Sequence, residues 1–242
     1  MNFSPFFSSR HKPVRHISCV RVLASLTMYN VQFPSHIGRS SVSERQLLIA
    51  TNNPGKSAEL RLLLSNCGWQ AVTPAEIGIA PVDVVETGRS YLENAISKAV
   101  RHADVSQLPS LADDSGLEVD ALGGRPGVLS ARYGGARAPD PLARNSLLLA
   151  ELEGVPFGQR GARFRAIVAL ALPHGEIYVR EGKIEGRIAE NPRGADGFGY
   201  DPIFELLDGR TMAEVGDAKH DFSHRARAVR AVLPVLTRLA SR

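Results

Sequence analysis

From Gln46 onward the spacing of apolar positions changes several times, and each change predicts an element. Leu47-Leu-Ile-Ala50 is a short unbroken apolar run, the pattern of a buried strand. Thr51-Asn-Asn-Pro-Gly55 predicts a turn, after which Lys56-Ser57 opens a helix with Leu60, Leu63 and Leu64 on its apolar side. Gln70 to Val84 suits a strand and loop broken at Pro74 and Pro81. Leu92, Ala95, Ile96, Ala99, Val100 and Ala103 form one stripe, so a helix is expected from about Ser90 to Ala103 with Thr87 as its N-cap. Glu93, Asn94 and Lys98 fall off that stripe and read as solvated. Asp140-Pro141 is a cap followed by a first-turn proline, and its helix runs through Leu147, Leu148 and Leu152 to a stop at Gly154. Ala162 to Leu172, Glu176 to Glu181 and Lys183 to Glu190 read as strands of an antiparallel ribbon, separated by Pro173, Gly175 and Gly182. Thr211-Met-Ala-Glu214 matches a capping box. Ser223-His-Arg225 starts a last helix with apolar positions Ala228, Val229, Val232, Leu233, Leu236 and Leu239, and Pro234 predicts a kink in it.

Residues 1–45 carry no such period. Their Ser-, Arg- and His-rich, acid-free composition fits an unstructured leader, an organellar transit peptide, or a start placed ahead of Met28. The domain is therefore expected over 46–242. Charge sharpens this boundary. The net +4 comes from 29 basic and 25 acidic residues, but 1–43 hold Arg10, Lys12, Arg15, Arg21 and Arg39 with no carboxylate. From Glu44 onward the chain is near neutral, which argues against a nucleic-acid partner. The best apolar run, Ala166 to Leu172, is strand-sized and far short of a membrane span. Cys19 and Cys67 make neither a disulfide framework nor a metal cluster, which suggests a reducing, cytoplasmic setting.

Chemistry concentrates around Leu111-Ala-Asp-Asp-Ser-Gly116. Asp113 and Asp114 lie between a short apolar lead-in and a Ser-Gly break. Two adjacent carboxylates held inside a fold call for a cation between them, and hard divalent ions such as Mg²⁺ prefer such oxygens. The competing reading is a solvated turn. Glu86, just ahead of a helix, is placed to reach a metal held by Asp114. The strand, turn and helix start around Thr51 to Ser57 form an anion site, to which Lys56 adds positive charge. This is a near miss for a P-loop: Ala50 stands where the first glycine belongs, and Pro54 removes a backbone donor. Phe198, flanked by glycines in Gly194-Ala-Asp-Gly-Phe-Gly-Tyr-Asp-Pro202, offers a face to a planar ligand. His224 and Arg225 sit at a helix start, where the dipole disfavours cations.

The motifs Thr51-Asn-Asn-Pro-Gly-Lys56, Glu86-Thr-Gly88, Glu93-Asn-Ala95, Ala112-Asp-Asp-Ser-Gly116, Ser130-Ala-Arg-Tyr133, Gly197-Phe-Gly-Tyr-Asp-Pro202 and Ser223-His-Arg225 together resemble the Ham1/RdgB family of inosine/xanthosine triphosphate pyrophosphatases. The resemblance covers about 46–240. It implies an α/β fold, an elongated mixed β-sheet with flanking helices forming two lobes around a central cleft, usually as a homodimer. It also implies the reaction: a non-standard purine nucleoside triphosphate is cleaved between its α- and β-phosphates. By the same resemblance Thr51, Asn52, Asn53, Pro54, Gly55 and Lys56 grip the triphosphate, assisted by Lys219. Asp114 ligates Mg²⁺ and acts as general base, Glu86 is a further ligand, and Ser115 touches substrate. Phe198, Gly199, Tyr200 and Asp201 enclose the base, and His224 with Arg225 reads its 6-keto oxygen. The alternatives are a P-loop-like kinase or NTPase, with Asp113 or Asp114 in the Walker B role, and a nucleotide-binding module without turnover.

Overall fold

The computed structural model describes residues 45–80, 82, 84 and 90–241. The basic leader, Glu86 and Thr87 lie outside the described residues. Among the described residues six strands form one mixed sheet in the order β2-β1-β3-β4-β5-β6. They are β1 (Gln46–Ile49), β2 (Gln70–Val72), β3 (Ser110–Val119), β4 (Gly161–Ala171), β5 (Ile177–Ile188) and β6 (Phe204–Glu205). β1 runs parallel to β2 and β3, while β3 to β6 are antiparallel neighbours. The helices are α1 (Pro54–Leu63), α2 (Tyr91–Ser106), α3 (Pro141–Glu151), α4 (Met212–Val215) and α5 (His224–Ala240), the last running on through Pro234.

Strand alternation sorts the core. Ala166, Val168 and Leu170 of β4 face α1 and α5, packing with Leu60, Leu64, Val229 and Val232. Ile167, Ala169 and Ala171 face the other way, onto Ala95, Ala99 and Ala103 of α2. Small side chains on both partners let α2 lie close to the sheet. At the far ends of β3 and β4 a different core forms, in which Leu117, Val119, Ala162 and Phe164 meet Leu148 and Leu152 of α3 and Phe204 of β6. Two cores are thus strung on the same strands, and they meet at Asp114 to Gly116.

Most caps follow the sequence. Asp140 accepts the Ala143 N–H at 2.8 Å, and Thr211 with Glu214 closes the capping box. Four expectations are corrected. α1 begins at Pro54 rather than Lys56, capped by Asn53. Ser90 caps α2 through the Glu93 N–H at 3.1 Å. The buried side of that helix is Tyr91, Asn94, Ala95, Ala99, His102 and Ala103, with Leu92 exposed. Gly182 does not separate two strands but lies inside β5. A Cβ there would strike the His224 carbonyl and come within 2.6 Å of the Ala228 nitrogen, so the missing side chain lets the start of α5 lie directly on the sheet.

The Asp-Asp-Ser-Gly segment is neither a break nor a turn. It is the middle of β3, laddered to β4 from Ser110↔Ala171 to Val119↔Ala162. Gly116 fits only because it lacks a side chain: a Cβ would meet the Gly127 carbonyl, Ser130 Oγ at 2.5 Å and Tyr91 OH at 2.7 Å. Gly116→Ala should therefore lower unfolding free energy by ~1–3 kcal/mol, read as a fall in the urea midpoint. An unchanged midpoint would contradict this packing.

Candidate active site

The adjacent aspartates point to opposite faces of the sheet. Successive strand residues point to opposite faces, so Asp113, opposite Val168, looks toward α1 and α5, and Asp114, opposite Ile167, looks toward α2. That corrects the expectation of one ion held between the pair.

Asp113 is fully buried and receives Arg225 Nε at 3.0 Å, with Lys56 Nζ at 3.4 Å. Burial alone would raise its pKa, but the Arg225 and Lys56 charges outweigh it and hold the carboxyl well below the usual range. Arg225 also donates to Glu59 through Nη1 and to Ser115 Oγ through Nη2 at 2.9 Å. The misfit of a cation at a helix start is thus answered inside the protein, by two carboxylates 112 and 166 residues away in sequence. Lys219, from the 3-10 turn Gly216–Asp221, bridges Glu59 at 2.6 Å and Asp201 at 2.8 Å. Burial opposes its charge, yet Asp201 and the Glu59 hydrogen bond raise its pKa. Asp201 in turn has its pKa raised by burial, and it accepts the Phe198 N–H at 3.1 Å.

This charged floor underlies a cavity of about 280 Å³. One end is the start of α1. There Thr51 Oγ1 accepts the Asn53 N–H at 3.2 Å and Asn53 Oδ1 accepts the Lys56 N–H at 3.0 Å. Pro54 occupies the first helical position, where an N–H would have no partner within the helix. Burial lowers the Lys56 pKa, an effect only partly offset by Asp113. Asn53, Gly55 and Lys56 line the cavity; Thr51, Asn52 and Pro54 stand outside its wall. The Phe198 ring lies against this helix start, so that a Cβ on Gly55 would come within 2.9 Å of it. Lys219 Nζ and the Arg225 guanidinium sit 5.2 and 5.7 Å from that ring's centre. Gly199, Tyr200 and Asp201 continue the wall, with Tyr200 OH donating to the Ser130 carbonyl at 2.9 Å. His224 stacks on Phe164 at 4.8 Å, and burial pushes its pKa well below the ordinary value, leaving the ring neutral at physiological pH. Its Nδ1 is buried without a partner among the described residues.

Across the strand, Asp114 is also buried. Its Oδ2 accepts Asn94 Nδ2 at 3.0 Å and its Oδ1 accepts Lys98 Nζ at 3.1 Å. Lys98 also donates to the Asp113 carbonyl at 2.9 Å. Asp114 is not part of the cavity wall, but Ser115 and Gly116, which follow it, are. Among the described residues no three His, Cys, Asp or Glu side chains gather as a metal cluster.

Glu59, Asn94 and Lys98 belong to the site and were missed by pattern reading. Asn94 and Lys98 are four apart, and His102, which meets the Lys98 carbonyl at 2.7 Å, continues the row. That polar lane beside the alanines was the available signal.

Similarity to known proteins agrees with this geometry. The Ham1 family model matches residues 47–235. A dITP/XTP pyrophosphatase of Desulforamulus reducens is 46% identical over 198 residues, covering 80% of this chain and 96% of that protein. One from Thermus thermophilus is 48% identical over 190 residues, covering 78% and 90%. A Coxiella burnetii HAM1 protein structure superposes with a TM-score of 0.71 at 38% identity, covering 80% of this chain and 99% of that one. A Mycobacterium abscessus structure named nucleoside-triphosphatase, dITP/XTP pyrophosphatase, gives 0.63 at 45% identity, with 78% and 99% covered. Matched across the whole described fold, in sequence and in structure, the chain belongs to the Ham1 family.

Proposed function

We propose that this protein hydrolyses non-standard purine nucleoside triphosphates (ITP, dITP and XTP) to the monophosphate and pyrophosphate, keeping those nucleotides out of nucleic acid. The observation that carries the reading is the division of labour across β3. Asp113 anchors a cationic floor under a cavity, while Asp114, one residue on, is held by Asn94 and Lys98 on the opposite face.

Asn53, Gly55 and Lys56 take the phosphates at the α1 start, with Thr51, Asn52 and Pro54 shaping the turn behind them, Lys56 as the mobile cation and Lys219 assisting. Phe198 gives the base a face, and Gly199 to Asp201 close around it. His224 and the remaining donors of Arg225 read the 6-keto oxygen; an adenine amino group would leave them unpaired, at ~1–3 kcal/mol per buried donor. Asp114 takes a proton from water as its oxygen adds to the α-phosphorus. The bond from that phosphorus to the bridging oxygen breaks, and pyrophosphate leaves with the electron pair.

Mg²⁺ fits this donor set. Asp114 offers hard oxygens, and each has a second lone pair beyond its one hydrogen bond, to Asn94 or Lys98, among the described residues. Magnesium is commonly held by one or two carboxylates together with substrate phosphates, so a three-residue cluster is not required. Asp114 would hold it, with Glu86, outside the described residues, as the second carboxylate. Bound there, the ion would neutralise phosphate charge and lower the pKa of water. The catalytic body is 46–242; the resemblance carries with it a homodimer, and the cysteine usage a cytoplasmic setting. No helix among the described residues is long and apolar enough to cross a membrane.

The test is an assay of ITP, dITP, XTP and ATP with Mg²⁺. Pyrophosphate should appear from the first three far faster than from ATP. Release of orthophosphate and a diphosphate instead would indicate the kinase-like or NTPase chemistry, and saturable binding without hydrolysis a non-catalytic module.

A further inference from the structure

The cations around the cavity are nearly all committed. Lys56 meets Asp113, Lys219 bridges Glu59 and Asp201, and Arg225 spans Asp113 and Glu59. Arg144, on the first turn of α3, is different. It lines the same cavity, as do Ser130, Ala131, Gly199 and Tyr200, and its charge acts on the Tyr200 hydroxyl. Among the described residues it has no carboxylate partner. Only its Nη1 is engaged, by the Ala138 carbonyl at 3.5 Å and the Pro139 carbonyl at 3.4 Å. Nε and Nη2 make no hydrogen bond among the described residues, so three of the five guanidinium N–H groups are unused.

The next residue joins α3 to the cavity wall. Asn145, buried, donates to the Gly199 carbonyl at 3.1 Å and so ties α3 to the segment that carries Phe198 and Tyr200. The Arg144 charge acts on the Tyr200 hydroxyl, so the unused guanidinium donors stand on the Tyr200 side of the cavity. A base held at that end presents acceptors, and a planar fork of donors suits an oxo group.

Hypoxanthine and xanthine share the 6-oxo group and differ at C2, where one has hydrogen and the other a second oxo group. The xanthine ring also sheds a proton near neutral pH, which spreads negative charge onto that side. We propose that Arg144 is a specificity-determining residue that reads the C2 oxo group, favouring xanthine over hypoxanthine nucleotides. The inference rests on the pyrophosphatase reading given above. Guanine, with an amino group at C2, sets donor against donor and is disfavoured by the same residue.

The experiment compares kcat/KM for XTP and ITP in the full chain and in Arg144→Ala. A charge-assisted hydrogen bond lost from one substrate only should lower the XTP/ITP ratio by about tenfold or more. Equal loss on both nucleotides, as a phosphate or sugar contact would give, overturns the assignment, and so does an unchanged ratio. Should Arg144→Ala fail to fold, Arg144→Gln keeps much of the side chain without the charge, and its ratio is read in the same way. Wild-type protein that releases no pyrophosphate from either nucleotide sinks the pyrophosphatase reading and this inference with it. Wild type that cleaves both, with an unmoved ratio in the variant, sinks this inference alone.

Discussion

Asp114→Asn should lower kcat on ITP at least about a hundredfold while leaving the melting temperature within a few degrees of wild type. The substitution keeps the shape and an acceptor for Asn94, whose Nδ2 lies 3.0 Å from the carboxylate. It removes the negative charge that faces Lys98 and turns one hard oxygen into an N–H₂ group that can neither take a proton from water nor ligate a cation. The loss therefore falls on chemistry far more than on packing. Steady-state rates together with a thermal melt check both halves. More than about a tenth of the wild-type kcat in a folded variant would remove Asp114 from the reaction.

Arg225→Ala should fail in a different way. Arg225 is 3% exposed and is the cation between Asp113 and Glu59. Removing one partner of a buried ion network costs about 3–5 kcal/mol, because the carboxylates left behind have lost both water and their countercharge. The sign of the pH dependence follows. In the wild type, Asp113 has a depressed pKa, so its contribution to stability is in place above the unfolded carboxylate value and is lost as pH falls toward the folded one. In the variant, burial is no longer offset by Arg225, so the folded-state pKa of Asp113 rises. The penalty of the mutation should thus be largest near neutral pH and shrink as pH is lowered toward the carboxylate range. Urea unfolding of both proteins at about pH 7 and about pH 5 reads this directly. A penalty that is the same at both values would mean that Arg225 acts through packing alone. Arg225→Ala is for this reason a poor probe of base reading; Arg225→Lys, which keeps a cation between the carboxylates, is the cleaner variant for ITP/ATP selectivity.

Pattern reading reached local structure wherever the cause was local. The buried run at Leu47 to Ala50, the Asp140-Pro141 helix start and the Thr211–Glu214 box are each decided within a few residues, and they came out as expected. It failed where a distant element decided. Gly182 has a turn residue's identity, but its reason is the backbone of α5 passing over the strand. Asp113 and Asp114 looked like a pair because they are adjacent in sequence, whereas strand geometry makes adjacent residues the two that cannot converge. Glu59 gives no hint of its role in sequence, since its partners are Lys219 and Arg225. The recurrence of Asn94, Lys98 and His102 every four residues was legible but lay beside a stripe of apolar residues that drew the reading toward Leu92. The motifs still located much of the site, because Lys56, Ser115, Phe198, His224 and Arg225 all line the cavity, while Glu59, Arg144 and Lys219 lie outside those segments.

The unbroken course of β3 and β4 from one core into the other bears on how the cleft can move. Domain closure by hinge needs a few backbone residues free to swing, and here the two cores are joined by laddered strands, with Asp114↔Ile167 and Ser115↔Ala166 paired at the crossing point. Bending there would break that ladder at the residues proposed to do the chemistry. Any tightening around a nucleotide must then be a shear of pieces fastened by side chains. These are the Phe198–Tyr200 segment, tied by Asn145 to Gly199, and the Gly216–Asp221 turn, tied by Lys219 to Asp201. The Lys219–Asp201 fastening sits in the cavity wall, so it is a contact that an entering polyphosphate competes for. The rigid strand keeps Asp114 in register while the wall around it adjusts.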